Sequence, residues 1–248
     1  MLYLFRLLLR FLAWLDLLAF TLIMVLLTSL PSATIRSIYP PLFHSWCRCF
    51  VRALGVELRL HQHFHGDFPR HFILIANHPS AFEDIGIPAL FRVRNLAKHE
   101  VKDWFLLGKI ARAAGTLFVE RESKASRQAA QQALIDAVNA GDNIALYPEG
   151  GCKGRRIAPR FLHGAFITSL ATGVPILPVF LHYEAQAQFE WQTGEHLLQK
   201  IWRMANSPNP VVHYHVFDPI DPQDFADKES FNLAVYSQYL LWQQRFLD

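Results

Sequence analysis

The first thirty residues are apolar almost without interruption, broken only by Arg6, Arg10, Asp16, Thr21, Thr28 and Ser29. The uncharged run Leu17–Leu30 is too short to cross a bilayer, which takes about 20 residues. Counting back to Phe11 gives the length but takes in Asp16, and a carboxylate inside a membrane costs about 3 kcal/mol. On a helix, Arg6, Arg10, Thr21 and Thr28 fall in one narrow sector. That predicts a helix lying in, or dipping into, one leaflet, with a single tilted span as the alternative. A cleaved leader is rejected, because Asp16 interrupts the run and Leu30-Pro31-Ser32-Ala33 is a poor cleavage site. A second amphipathic helix is expected after Pro40-Pro41, from about Leu42 to Leu54, with Arg48 and Arg52 on one side. Beyond it the pattern changes to short apolar runs between polar ones. Strands are expected at Val56–His61, His71–Ala76, Thr116–Val119, Asn143–Tyr147, Val174–Leu181 and Val211–Phe217. Helices are expected at Lys102–Ala114, Ser126–Ala140, Phe161–Ala171 and Ser230–Phe246. Strand and helix take turns, so the class is α/β. The organisation expected is a membrane-associating helical pair over residues 1–54 followed by one domain over residues 55–248.

Composition sharpens this picture in two places. With 248 residues, 52% hydrophobic and 18% charged, the chain can bury a large core and is not disordered. A net charge of +3 gives no reason to expect nucleic acid. The basic residues are unevenly spread: residues 1–55 hold five arginines against Asp16 alone. Positive charge beside the most apolar segment suits anionic lipid head groups. The three cysteines, Cys47, Cys49 and Cys152, form no disulfide framework and fit a reducing, cytoplasmic side. His61, His63 and His65 alternate before the Gly66-Asp67 turn. They could bind metal, but with no flanking carboxylate pair a solvated loop is the stronger reading, and no metal is assigned.

Candidate chemistry gathers at strand ends, where α/β sheets carry their functional loops. Asn77-His78-Pro79-Ser80 with Glu83 and Asp84 follows the second strand. A carboxylate close to a histidine fixes its tautomer and stabilises the imidazolium, so His78 can act as general base. Ser80 and Glu83 also fit a capping box that starts a helix at residue 81, and both readings hold together. Arg121, after Val119-Glu120, suits a phosphate contact. Tyr147-Pro148-Glu149-Gly150-Gly151-Cys152-Lys153 is a glycine-rich loop with basic residues, open to close approach by an anionic ligand. The chain has neither a Gly-x-Ser-x-Gly elbow nor a nucleotide P-loop, so serine-esterase and P-loop chemistry are unsupported.

The order and spacing of these clusters over about residues 70–182 resemble the glycerolipid acyltransferase family, typified by bacterial 1-acyl-glycerol-3-phosphate acyltransferases. Asn77-His78 through Glu83 looks like its N-H-x4-D block, with Glu83 where Asp is usual and Asp84 next to it. Lys98-x-Glu100 with Gly115–Arg121, Tyr147-Pro148-Glu149-Gly150, and Val174–Val179 look like its other three. The resemblance implies a mixed sheet flanked by helices and a membrane-surface O-acyltransferase. His78 would take the acceptor proton, oriented by Glu83, the carboxylate at the better spacing. Lys98, Arg121, Glu149, Gly150 and Lys153 would bind the acceptor head group. No bound cofactor is implied; acyl-CoA or acyl-carrier protein would supply the acyl group. The family often continues its third block with an arginine where this chain has Cys152, and Lys153, Arg155 and Arg156 could replace that charge. The leading acceptor is 1-acyl-glycerol-3-phosphate; the runner-up is a lyso-aminolipid whose hydroxyl lies on an acyl chain. A non-catalytic lipid-binding protein on the same scaffold is the alternative of another class. The location implied is the cytoplasmic face of the inner membrane, with lysolipid and membrane lipids as partners.

Overall fold

The structure, a computed structural model, describes residues 2–192 and 194–248; the side chain of Arg6, part of the predicted polar sector, lies outside what it describes. Two long helices lead the chain, α1 (Leu2–Leu27) and α2 (Ser32–Leu54). They run antiparallel: Arg10 donates to Leu54 O at 3.3 Å, Trp46 to Thr21 Oγ1 at 2.9 Å, and Tyr39 to Met24 O at 2.9 Å. The second helix starts eight residues before Pro40, and both Pro40 and Pro41 lie inside it, whereas the sequence suggests a start after them. Prolines remove two backbone donors, but the buried Tyr39 hydrogen bond and packing against α1 hold the turn before them.

Among the described residues, seven strands form one sheet in the order β1-β7-β6-β2-β5-β3-β4. They are β1 (Glu57–Gln62), β2 (Ile73–Ala76), β3 (Arg94–Lys98), β4 (Leu117–Val119), β5 (Ile144–Leu146), β6 (Ile176–Tyr183) and β7 (Val211–Val216). Only the β6–β7 pairing is antiparallel. Period-2 alternation splits the buried strands between two cores. Leu74 and Ala76 of β2, Ala145 of β5 and Tyr214 of β7 face α1, α2, α3 (Glu83–Leu90), α4 (Leu107–Ala113) and, further along the chain, α8 (Leu197–Ala205). Ile73, Ile75, Ile144 and Phe180 face α5 (Lys124–Asn139), α6 (Gly164–Thr172) and α9 (Lys228–Leu247). A short helix, α7 (Gln186–Phe189), follows β6. Helix α2 contributes Tyr39, Trp46 and Cys47 to the first core, so α1 and α2 pack as a layer of the fold.

One strand escapes the sequence reading and one expected helix differs, both for local reasons. β3, RNLAK, carries no apolar alternation; its Arg94 is occupied by Asp142 at 2.5 Å and Gly115 O at 2.8 Å. The single helix expected over residues 102–114 is broken into a 3₁₀ turn (His99–Asp103) and α4. Between them the chain doubles back so closely that a Cβ on Gly108 would collide with the Lys102 carbonyl. Leu106 takes a left-handed φ of 59°, and Phe105 projects into solvent at 88% exposure.

On the α9 side of the sheet edge, histidines from three strands stack. His61 lies on β1 and His63 just beyond it, His213 and His215 lie on β7, and His182 lies on β6; His65 stays exposed in the turn. Burial and the neighbouring histidines push His215 down to about 3 and His182 to about 4. Both rings are neutral at pH 7.

Candidate active site

The strands β2, β5, β3 and β4 run parallel, and their C-terminal ends carry the polar clusters. Past β2, Asn77 extends the ladder with side-chain hydrogen bonds to Leu181 N and O, each at 2.8 Å. His78 follows, buried, its ring stacked on Tyr147 with centroids 4.1 Å apart and planes 8° off parallel. Its Nδ1–H donates to Glu83 Oε2 at 2.7 Å. Glu83 opens α3, where the positive end of the helix favours a carboxylate, and has no solvent exposure. Its Oε2 also accepts Ser80 N–H at 3.0 Å and its Oε1 accepts the Tyr183 hydroxyl. The capping arrangement thus forms in half: Glu83 reaches back to Ser80, while Ser80 Oγ accepts Phe82 N–H at 3.2 Å. The helix accordingly begins at residue 83, two residues later than the capping signal suggests.

Glu83, and not Asp84, is the carboxylate at the His78 ring. Asp84 is half-buried, lines a neighbouring cavity and is raised by burial. The other ring nitrogen of His78, Nε2, lies within hydrogen-bond reach of the exposed Cys152 Sγ, at 3.4 Å. Burial by itself drives His78 down, but the hydrogen bonds to Cys152 and Glu83 and the charges of Glu83 and Asp84 outweigh it. The imidazole is held well above its usual range. A carboxylate can only accept, so the Nδ1 proton stays on the Glu83 side and Nε2 presents the lone pair.

Glu149 takes a different place from the one its motif suggests. Its Oε1 accepts His78 N–H and its Oε2 accepts Ala158 N–H, both at 2.7 Å. It is a buried strut that fixes the backbone of His78 against the glycine-rich loop. Lys153 N–H completes the strut by donating to His78 O at 3.1 Å, its side chain exposed. Arg121 donates to Gly150 O, where Gly150 takes a left-handed φ of 73° and a Cβ would collide with Leu162. Lys98 sits exposed at the end of β3. Arg155 and Arg156 turn away to the C-terminus, onto Leu247 O at 3.1 Å and Asp248 at 2.5 Å. They are therefore not placed to replace the missing arginine at Cys152.

The sequence offered no signal for Lys200. It lies on α8, an element with no expected counterpart, and is 1% exposed. Its ammonium donates to Phe189 O and sits 5.1 Å from the Trp191 ring centroid. Burial lowers it to about 8. With Asp84 and Asn95 it is among the few polar groups in a cavity lined by Phe43, Trp46, Phe82, Leu107, Ile110 and Met204. Tyr183, which donates to Glu83, was equally invisible, and Tyr147, which stacks on His78, stood in a motif with no role of its own.

Comparison with known proteins shows the family. An acyltransferase family model matches residues 59–182. A lyso-ornithine lipid O-acyltransferase from Pseudomonas aeruginosa is 33% identical over 78% of this chain and 75% of its own. A 1-acyl-sn-glycerol-3-phosphate acyltransferase from Neisseria gonorrhoeae is 29% identical over 47% of this chain and 46% of its own. The crystal structure of the 1-acyl-sn-glycerophosphate acyltransferase PlsC from Thermotoga maritima superposes with a TM-score of 0.65 at 18% identity. It covers 99% of this chain and 97% of its own, and so shares the fold. The chain belongs to the lysolipid acyltransferase family.

Proposed function

We propose that the protein transfers an acyl group from a thioester to a lysolipid hydroxyl, with His78 as the base. The observation that carries this is the buried His78–Glu83 hydrogen bond, which leaves Nε2 directed at the exposed Cys152 side. The acceptor hydroxyl displaces the thiol and gives its proton to Nε2. Its oxygen attacks the thioester carbonyl, the C–O bond forms, and the tetrahedral oxyanion collapses with loss of the C–S bond. The imidazolium returns the proton to the departing thiolate, and Glu83 stabilises the cation in between. The acyl chain has a place to lie in the apolar cavity between α2, α3, α4 and α8. Acyl-CoA or acyl-carrier protein is the donor, and these residues ask for no metal or redox group.

The outer side of α1 supports a membrane-bound enzyme. Leu4, Phe5, Leu8, Phe11, Leu22 and Leu26 are each more than half exposed, an unbroken apolar face of the kind that marks a lipid or protein partner. The stretch Leu8–Leu27 has a mean hydropathy of 2.0. Because α1 turns back on α2, the pair enters one leaflet as a hairpin, on the cytoplasmic face of the inner membrane.

The acceptor we favour is the lyso-aminolipid. Arg121 is engaged by Gly150 O, Arg155 and Arg156 by the C-terminus, and a thiol stands beside His78. Only Lys98 and Lys153, both exposed, remain of the charges expected for a phosphate. The longer match to a lyso-ornithine lipid enzyme points the same way. The second reading, 1-acyl-glycerol-3-phosphate, rests on the matched Arg121 motif. The test is kcat/KM of wild type and Arg121→Ala on both acceptors. The favoured reading predicts preference for lyso-ornithine lipid and less than about threefold loss in the variant. A wild-type preference for the phosphate acceptor, with a loss of tens-fold or more in Arg121→Ala, would overturn it.

A further inference from the structure

The stacked histidines lie on the sheet face opposite Tyr214, whose side chain packs on the α3 side, and play no part in the acyl transfer proposed above. His61 of β1 stands beside His215 of β7 in the parallel register, and His213 lies two residues earlier on the same face. One ring nitrogen from each of the three falls within 4.8 Å of the others. A tetrahedral zinc with Zn–N bonds of about 2.1 Å needs donors about 3.4 Å apart. The three rings now stack nearly parallel, so binding has to turn them about their side-chain torsions until the nitrogens face a common point.

Proton placement favours a cation. Glu184 Oε1 accepts from His213 Nε2–H at 2.8 Å. That fixes the tautomer of His213 and leaves a lone pair on Nδ1, facing His61 Nε2 at 2.9 Å. A metal-bound histidine is held in the same way, its distal N–H given to a carboxylate. His215 Nε2 and His182 Nδ1 are buried and have no hydrogen-bond partner. Orphaned imidazole nitrogens in a neutral cluster are what an imidazole-binding metal would use.

We propose that His61, His213 and His215 bind a borderline transition-metal cation, zinc foremost, that clips the edge strand β1 to β7. His61 shifts its proton to Nδ1 so that Nε2 becomes a donor, with no net proton change, and water takes the fourth position. Imidazole donors select zinc, nickel or copper over magnesium and calcium. The clip holds the strand through which α2 enters the sheet.

The test uses untagged full-length protein in detergent, since a polyhistidine tag would bind the same ions. Zinc titration by calorimetry is expected to show one equivalent bound, with a rise in Tm. Cobalt(II) in its place is expected to give the visible absorption bands of a four-coordinate site. His213→Gln should abolish this binding, and Glu184→Gln should weaken it by about tenfold while leaving the circular dichroism spectrum unchanged. If His213→Gln fails to fold, His61→Asn and Glu184→Gln carry the test. Wild type binding zinc no more tightly than these variants, or magnesium competing equally, would overturn the proposal.

Discussion

At the scale of single residues, everything turns on the pair His78 and Glu83. His78 must be unprotonated at Nε2 to take a proton, and its neighbours hold its pKa above the ordinary range. Activity should therefore rise with pH through a value higher than that of a free histidine, which is about 6.5. Glu83→Gln removes the charge that supports the imidazolium. It should cut kcat by about 100-fold or more and move the acid limb of the pH–rate profile to lower pH. Asp84→Asn should do less on both counts. A pH–kcat series on the three proteins decides this, and an unmoved limb in Glu83→Gln would assign the shift to something else. Cys152 gives a second test at this scale. Its exposed thiol lies 3.4 Å from Nε2, so alkylation with iodoacetamide should block acceptor binding and abolish turnover. Cys152→Ser should stay active and resist the reagent.

At the scale of elements, Tyr239 shows how the sheet is braced. Its hydroxyl, on α9, lies 2.9 Å from Ile75 O and 3.0 Å from Val179 O, one strand before and one after the site in the chain. Tyr239→Phe should cost about 1–2 kcal/mol, seen as a lower denaturation midpoint with unchanged KM. Elements with apolar periodicity were legible in the sequence: β2, β5, β6, β7, α5 and α9 all lie within a few residues of their expected bounds. What escaped was decided by tertiary contacts. β3 is polar because Arg94 bonds across to Asp142 and Gly115, and α2 continues through Pro40-Pro41 because Tyr39 is anchored on Met24. The pairing of His78 with Glu83 was legible from its spacing, since the turn that leads into α3 brings the two side chains together. Tyr183 and Lys200 come from more than a hundred residues away, and no local pattern could announce them. The roles of Glu149 and Arg121 escaped for another reason: a motif gives residue type, whereas the bonds to His78 N and Gly150 O depend on how the loop closes.

At the scale of the whole molecule, the segment that follows His78 lines an apolar cavity through Ala81, Phe82 and Asp84; α2 forms part of its wall, and α1 covers α2 with its own apolar side outward. On the proposed function, the fold joins chemistry and lipid access in one body. Removing residues 1–54 would strip Trp46, Tyr39 and Cys47 from the core, so surface substitution is the cleaner probe. Replacing Leu8, Phe11, Leu15 and Leu22 together with Gln or Ser should release the protein from anionic vesicles in a flotation assay, while high salt should not release wild type. The central claim, acyl transfer with His78 as base, is tested most directly by a single comparison. Purified wild type and His78→Ala, both in detergent, are given lysolipid with acyl-CoA or acyl-carrier protein, and the diacyl product is measured. The account predicts turnover by wild type and a loss of at least ~10³-fold in a variant that keeps its circular dichroism spectrum and vesicle binding. Near-wild-type product formation by His78→Ala would contradict it.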